Sequence, residues 1–230
     1  MNFCVLTLFP EMIEGGLCHS VIGRAVKNGL ITISSVNIRD FSGDRHNRVD
    51  DYPFGGGCGM VMRAGPVFDA YKSAAHGLPN ARAVYMTPQG RPFSQSVAAE
   101  LAREESLIIL CGHYEGIDER AIEAIAPDEI SLGDFILTGG ELAAMVIIDA
   151  VARLIPGVLN KEESSRNESF SGGLLEYPQY TRPYDWNGRL APEVLISGHH
   201  ANVDKWRLER ALERTRARRP DLLGEPGYHA

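Results

Sequence analysis

The chain has 230 residues, 44% of them hydrophobic, which predicts one large domain or one domain with a small appendage. A formal charge of -7 at pH 7 excludes a surface that is basic throughout, so any nucleic-acid partner would have to meet a local basic patch. The four cysteines lack CxxC spacing, and we find neither a leader pattern nor an apolar run long enough for a membrane span, so we expect a reduced, cytoplasmic protein.

The first part of the chain predicts two strands with a helix between them. Residues 2–8 form an apolar run that predicts a buried strand, and residues 31–38 predict a second one. Residues 11–27 predict one helix, which Asn28-Gly29 would end. Residues 40–63 are rich in Gly, Asp and Arg without apolar periodicity, which is typical of a long functional loop.

The next elements continue a βαβ alternation. Residues 67–75 predict a helix, and residues 83–86 predict a strand that breaks at Thr87-Pro88-Gln89-Gly90. Ser94 is a good N-cap for a helix that would run to about residue 103. This alternation predicts an α/β fold with a mostly parallel sheet, while the absence of GxGxxG with a downstream acid excludes an ordinary dinucleotide-binding fold.

Two further strands run into glycine loops. Residues 107–110 stop at Cys111-Gly112-His113-Tyr114-Glu115-Gly116, and residues 129–132 stop at a loop that ends with Gly139-Gly140. Single glycine turns are mostly structural. Ligands of open α/β sheets bind at the carboxyl ends of the strands, however, so three such transitions favour a crevice for a small polar molecule.

Residues 141–155 predict a helix that Pro156 ends. Because this helix is apolar on almost every face, we expect it to be buried, with a partner subunit against it. Asp149 and Arg153 are four residues apart on one face. Two interpretations remain open, an ion pair within the helix or an arginine that polarises a substrate oxygen.

The C-terminal part changes composition. Residues 160–173 hold one large apolar side chain, Phe170, and predict a linker or lid. Residues 202–218 predict a helix with an apolar stripe beside an arginine stripe. The apolar stripe is Leu208, Ala211, Leu212 and Thr215, and the arginine stripe is Arg207, Arg210, Arg214 and Arg218. Phosphate binding and a solvated charged face both explain these arginines.

Motifs spread over nearly the whole chain resemble those of the bacterial tRNA (guanine-37-N1)-methyltransferases of the SPOUT superfamily. They are GRAVKNGL at 23–30, VDDYPFGGGCGMVMR at 49–63, TPQG at 87–90, CGHYEGIDER at 111–120, SLGDFILTGGELAAM at 131–145, IPGVLN at 155–160 and YTRP at 180–183. The resemblance implies a deep trefoil knot, S-adenosylmethionine bound in it, and a homodimer with active sites at the subunit interface. It also implies a knotted domain over residues 1–159, the flexible segment 160–173, and a helical tRNA-binding domain over residues 174–230.

The resemblance also assigns residues. The implied cofactor pocket consists of Thr87, Pro88, Gly112, Tyr114, Glu115, Ser131, Leu132, Gly133, Asp134, Phe135, Ile136, Leu137, Gly139 and Gly140. Arg153 matches the family arginine that contacts guanine O6, Asp50 falls where the family meets the substrate guanosine, and Glu115 resembles the acid linked to magnesium. The C-terminal arginines Arg207, Arg210 and Arg214 are the expected tRNA contacts.

Two positions depart from the family pattern. His113 stands where relatives often have Arg, and Glu168 stands where relatives often carry the Asp that acts as base. We therefore expect methyl transfer to N1 of guanosine 37 in tRNA, with Glu168 as base and Arg153 at O6. The alternatives are a SPOUT enzyme that acts on another RNA position and a tRNA-binding SPOUT protein without catalysis.

Overall fold

A computed structural model describes residues 1–159, 168–170 and 172–224. The chain divides into two compact units, Met1–Asn160 and Lys161–Ala230. The described strands are β1 (Asn2–Thr7), β2 (Thr32–Asn37), β3 (Asp50–Asp51), β4 (Val61–Met62), β5 (Arg82–Pro92), β6 (Ser106–Cys111), β7 (Asp128–Ser131), β8 (Asp185–Trp186) and β9 (Arg189–Leu190). The described α-helices are α1 (Pro10–Leu17), α2 (Ser20–Lys27), α3 (Ala64–Gly77), α4 (Gln95–Leu101), α5 (Glu119–Ile125), α6 (Glu141–Ala152) and α7 (His200–Arg218).

The first unit is built on a five-stranded sheet in the order β2-β1-β6-β5-β7, in which every neighbouring pair is parallel. This confirms the predicted α/β class. The central strand β6 is buried at all six of its positions. Because parallel strands are connected by crossovers that place helices on both faces of a sheet, such a strand reads as a continuous apolar run.

Alternate residues of the central strands serve two separate hydrophobic cores. Phe3 and Leu107 point into a core formed with α1, α2, α4 and α6. Leu6 and Leu110 point into a second core formed with α3, α5 and the 3₁₀ turn Ile38–Phe41. Since successive side chains of a strand face opposite sides, this division gives three layers with the sheet in the middle.

Several predicted boundaries are wrong, each for a local reason. The single helix predicted over residues 11–27 is two helices, because Ser20 has a φ of 53°, a left-handed conformation that interrupts the helical turn. Helix α6 ends at Ala152, three residues before the predicted residue 155. Helix α5 was not predicted at all.

Strand β5 does not stop at residue 86 as predicted. Met86 and Arg91 both pair with Ile130 of β7, so the strand leaves its neighbour and returns to it. Residues 87–90 therefore form a bulge inside the strand. The bulge keeps the TPQG motif next to the carboxyl end of β7.

Two arginines on either side of this bulge share the same two carboxylates. Arg82 lies 2.7 Å from Glu100 and 2.6 Å from Asp128, and Arg91 lies 2.9 Å and 2.6 Å from the same residues. This network connects the two arms of the bulge to α4 and to the start of β7. Hydrogen bonds from Arg91, and then from Arg82, lower the pKa of Glu100 to about 2.

The second unit centres on α7, whose buried residues are Val203, Ala211 and Thr215. Of the predicted apolar stripe, Ala211 and Thr215 are buried, whereas Leu208 is 56% exposed. Four-residue spacing places Arg207 between Val203 and Ala211, so the buried stripe passes through Arg207. Among the described helices, none has both the length and the apolar character that crossing a membrane requires.

We expect Glu100→Gln to destabilise the fold in a manner that depends on pH. Because the folded-state pKa lies below the ordinary value of 4.5, ionised Glu100 stabilises the fold above that value, and the contribution is lost as the pH falls toward 2. The urea midpoint of Glu100→Gln should lie below that of the unmodified protein at about pH 7, and the gap should narrow between about pH 5 and pH 3.

Glu105→Gln is the matched control, because Glu105 is an exposed acid that immediately precedes β6 and is not one of the four residues of this network. A gap that stays constant over this pH range for Glu100→Gln would contradict the stabilising role of the network.

Candidate active site

A cavity of about 640 Å³ lies in the first unit where β5, β6 and β7 run into their loops. Three segments form its wall: the bulge of β5, the glycine loop after β6, and the long loop between β7 and α6. A volume of roughly 300–1,000 Å³ is typical of sites for small molecules and cofactors. The site therefore lies at the edge of the sheet where α/β proteins commonly bind ligands.

The structure brings together nearly all the residues that the sequence suggested for a cofactor. The lining includes Thr87, Pro88, Gly112, Tyr114, Glu115, Ser131, Leu132, Gly133, Phe135, Ile136, Leu137, Gly139 and Gly140. Asp134 belongs to the same loop but is exposed and does not line the cavity.

Close backbone contact holds two of these loops together. A Cβ added to Gly140 would lie 2.7 Å from the Cα of Cys111, a distance that no real side chain tolerates. The amide of Gly140 donates a hydrogen bond to the carbonyl of Gly112 at 2.9 Å. Glycine is thus required here because the start of α6 crosses the end of β6 with no space for a side chain.

One wall of the cavity is apolar and open to solvent. Phe135, Ile136 and Leu137 are 53%, 79% and 37% exposed. Large apolar side chains that lie together at the surface commonly mark a binding site. A bound molecule with an apolar or aromatic face would cover them.

A buried polar group supports the same loops from behind. The carboxylate of Glu141, the first residue of α6, is 1% exposed. One of its oxygens accepts a hydrogen bond from the hydroxyl of Thr7 at 2.5 Å, and the other lies 2.8 Å from Nε2 of His113. Burial, followed by the charge on Glu141, raises the pKa of the neighbouring Cys111 thiol well above its ordinary value.

Sequence reasoning missed several residues of the wall. Tyr85, Gln89, Glu119 and Glu129 also line the cavity. Burial, and then the charge on Glu129, raises the pKa of the Tyr85 hydroxyl. Two features of the sequence could have identified Tyr85. It precedes the TPQG motif near the end of a predicted strand, and tyrosine combines an apolar body with a polar tip.

The residues present do not form a site for a tightly bound metal ion. Glu115 lines the cavity, yet nowhere in the described ranges do three His, Cys, Asp or Glu residues come close enough together to hold a metal. A divalent cation such as magnesium prefers several oxygen ligands. We therefore derive no step of the chemistry through magnesium.

The other predicted residues lie outside the cavity wall. Asp50 stands on β3, which pairs with β4. The amide of Met62 on β4 donates a hydrogen bond to the carbonyl of Gly116, in the loop after β6, at 2.9 Å. Arg153 is half-buried and caps the C-terminal end of α6. These two residues belong to the first unit.

Glu168 belongs to the second unit, where it lines a smaller pocket of about 310 Å³. Tyr177, Asp204 and Arg207 lie on the same pocket wall. Most of the predicted flexible segment 160–173 falls on residues 160–167 and 171, outside the described residues.

The predicted arginine stripe is only partly open to solvent. The Arg207 guanidinium lies 5.0 Å from the ring centre of Tyr177, Arg210 pairs with Glu213 at 2.7 Å, and Arg214 donates to the carbonyl of Glu176 at 3.2 Å. These three side chains are half-buried, and Arg218 is exposed. The stripe therefore packs in part against its own unit while it keeps a positive surface.

The chain matches one protein family along almost its whole length. A sequence model described as tRNA (Guanine-1)-methyltransferase TrmD matches residues 1–225. The tRNA (guanine-N(1)-)-methyltransferase of Lachnospira eligens is 60% identical over 226 residues, which cover 98% of this chain and 96% of that protein. The protein of the same name from Ruminiclostridium cellulolyticum is 59% identical over 226 residues, covering 98% and 97%.

A third relative of the same name, from Clostridioides difficile, is 52% identical over 224 residues and covers 96% of this chain and 97% of its own. The span matched by the family model, residues 1–225, includes the cavity loops and the described part of the second unit. The chain belongs to the tRNA (guanine-1)-methyltransferase TrmD family.

Proposed function

We propose that this protein transfers a methyl group from S-adenosylmethionine to N1 of guanosine 37 in tRNA, next to the anticodon. The observation that carries the proposal is that the loops bearing the family motifs surround a single cavity of about 640 Å³. The names of the relatives give the reaction, a tRNA guanine-N1 methylation. A tRNA substrate would place the protein in the cytoplasm.

The cavity suits the proposed cofactor. S-adenosylmethionine, when bound, supplies an electrophilic methyl group on a sulfonium centre. Backbone groups near Gly112 and Gly140 can approach a ligand closely because neither residue carries a side chain. Phe135, Ile136 and Leu137 would cover the apolar parts of the molecule and exclude water.

The remaining chemistry needs a base and a group that stabilises negative charge. Guanine N1 carries a proton at neutral pH and has no free lone pair, so a base has to remove that proton as the methyl group arrives. We assign this step to the carboxylate of Glu168. Charge then moves onto O6, where the guanidinium of Arg153 would donate hydrogen bonds and stabilise it.

A knot and a dimer belong to the same proposal. Gly140 lies against Cys111, so the loop before α6 crosses the end of β6, and the bulge in β5 lies beside the end of β7; these two arrangements support the proposal of a trefoil knot. Leu142 and Val146 of α6 are each 49% exposed, and Met12 of α1 is 38% exposed. We assign this apolar patch, defined by Met12, Leu142 and Val146, to the interface of a homodimer with active sites at the subunit boundary.

We assign tRNA binding to the second unit. Its long helix α7 carries Arg207, Arg210, Arg214 and Arg218 in a chain whose net charge is -7. A local positive surface on an acidic protein is what a phosphate backbone would select.

Incubation with labelled S-adenosylmethionine and tRNA transcripts, followed by mapping of the modified nucleotide, tests the proposal. We expect label at N1 of guanosine 37, and none on a transcript that lacks this guanosine. Equal labelling of both transcripts would assign the enzyme to another RNA position. Tight tRNA binding without any product would identify a binding protein that has lost catalysis.

We predict that Glu168→Gln lowers turnover by roughly a hundredfold or more, the usual scale for loss of a general base. Affinity for S-adenosylmethionine should be unchanged, because Glu168 does not line the cavity of the first unit. Glu168→Asp should stay active, since it keeps the carboxylate. Single-turnover kinetics and calorimetry measure the two quantities.

Glu176→Gln is the matched control for this prediction, because Glu176 lines the same pocket of the second unit. Near-normal turnover of Glu168→Gln would show that the proton leaves by another route, and Asp50 would be the next residue to test.

We predict that reversing Arg210 and Arg214 to Glu weakens tRNA binding and makes it less dependent on salt, because fewer phosphate charges are neutralised. Affinity for S-adenosylmethionine should not change. Lys27 and Arg103 are exposed on the first unit and provide a control pair with the same change in charge. Loss of tRNA and cofactor binding together would mean that these arginines of α7 are structural.

We predict that Val146→Glu dissociates the dimer, since a charge would be buried in an apolar interface. Light scattering at micromolar concentration should give a dimer for the unmodified protein and a monomer for the variant. Leu190→Glu is the control, because Leu190 is comparably exposed but lies in the second unit. A monomeric unmodified protein would refute the assignment of the patch.

A further inference from the structure

The polar group behind the cavity has a role that the methyl-transfer chemistry leaves open. Glu141 has no contact with the cavity, yet its carboxylate is almost fully buried. A buried carboxylate is tolerated only when hydrogen-bond donors satisfy it. Here the donors come from two distant parts of the chain, the end of β1 and the loop after β6.

On one side of the carboxylate is Thr7, which is fully buried. Its hydroxyl donates a hydrogen bond to Oε1 of Glu141 and accepts one from the amide of Phe9 at 2.9 Å. Both roles of this hydroxyl are therefore used, and its orientation is fixed. The carboxylate of Glu141 is consequently bonded to the end of β1, a strand of the sheet, and not to solvent.

On the other side is His113, which lines the cavity. Nε2 of His113 lies 2.8 Å from Oε2 of Glu141, and toward a carboxylate, which only accepts hydrogen bonds, the imidazole N–H is the donor. The ring packs against Phe9, with the ring centres 5.0 Å apart. The backbone of the same residue bonds within its loop, from the amide of Gly116 to the carbonyl of His113 at 3.0 Å.

Gly139 passes directly over this pair. A Cβ on Gly139 would lie 2.6 Å from Oε2 of Glu141 and closer still to the imidazole of His113. Gly139 also forms an isolated β-bridge with His113. The pair therefore sets the separation between two walls of the cavity, the loop after β6 and the loop before α6.

We propose that Thr7, Glu141 and His113 form a positioning relay that holds these two loops at the separation that S-adenosylmethionine requires. The inference rests on the proposed cofactor. Thr7 and Glu141 are positioning residues that act through His113, and they take no part in proton transfer. The relay gives His113 a function that its position in the family pattern did not explain.

Steady-state kinetics of His113→Phe test the relay. This variant keeps a ring against Phe9 but removes the donor to Glu141. We expect the KM for S-adenosylmethionine to rise roughly tenfold or more, the effect of losing a hydrogen bond to a buried charge, while the KM for tRNA stays within about twofold. His113→Arg should restore the affinity, because a guanidinium can donate to the same carboxylate.

Thr7→Val provides a second test that does not touch the cavity. Valine has nearly the shape of threonine, and Thr7 is not part of the cavity wall. A raised KM for S-adenosylmethionine would therefore have to arise through the two groups that the Thr7 hydroxyl bonds, the carboxylate of Glu141 and the amide of Phe9, both of which lead to His113. Val151→Ala is the control, because Val151 is a fully buried residue on the same helix as Glu141. It should lower the melting temperature without raising this KM.

An unchanged KM for S-adenosylmethionine in folded His113→Phe and Thr7→Val would overturn the relay. A rise of the same size in Val151→Ala would also overturn it, since any loss of stability would then explain the effect. If calorimetry showed that the unmodified protein binds no S-adenosylmethionine, both the proposed function and the relay would fail. If the unmodified protein binds it and the variants keep their KM, only the relay fails.

Discussion

The site depends on a backbone contact between Gly140 and Cys111. These residues stand at the start of α6 and the end of β6, and a side chain on Gly140 would collide with the Cα of Cys111. Strand β6 is buried along its whole length, so it cannot move away without opening both hydrophobic cores. The position of the long loop before α6 is therefore set by the packing of the sheet.

Two polar networks flank this contact, and they differ in energetic weight. The pairs among Arg82, Arg91, Glu100 and Asp128 are partly exposed, and solvent screening keeps the contribution of such ion pairs to stability small. Glu141 is buried, and removing a partner from a buried charge typically costs about 3–5 kcal/mol. The network around Glu141 therefore constrains the cavity far more strongly than the network around the β5 bulge.

The sequence predicted the parts of the fold that depend on local pattern. Apolar runs located the five strands of the parallel sheet but none of the short strands β3, β4, β8 and β9. Glycines at strand ends located the cavity wall, except for Asp134 and for residues such as Tyr85. The left-handed backbone conformation of Ser20 and the bulge within β5 depend on tertiary packing, so the local sequence pattern did not predict them. The contact of Thr7 with Glu141 joins residues 134 positions apart, which a single sequence cannot relate.

One continuous stretch of the chain carries the apolar wall of the cavity and two of the three residues of the apolar patch. Phe135, Ile136 and Leu137 face the cavity, and Leu142 and Val146 follow on α6. The glycines between them are pinned to the end of β6, so the loop and the helix cannot be displaced independently. A partner that ordered α6 would therefore also order the cavity wall. Dimer formation and binding of the proposed cofactor would then favour each other, because whichever occurs first already orders the loop and helix that the other requires.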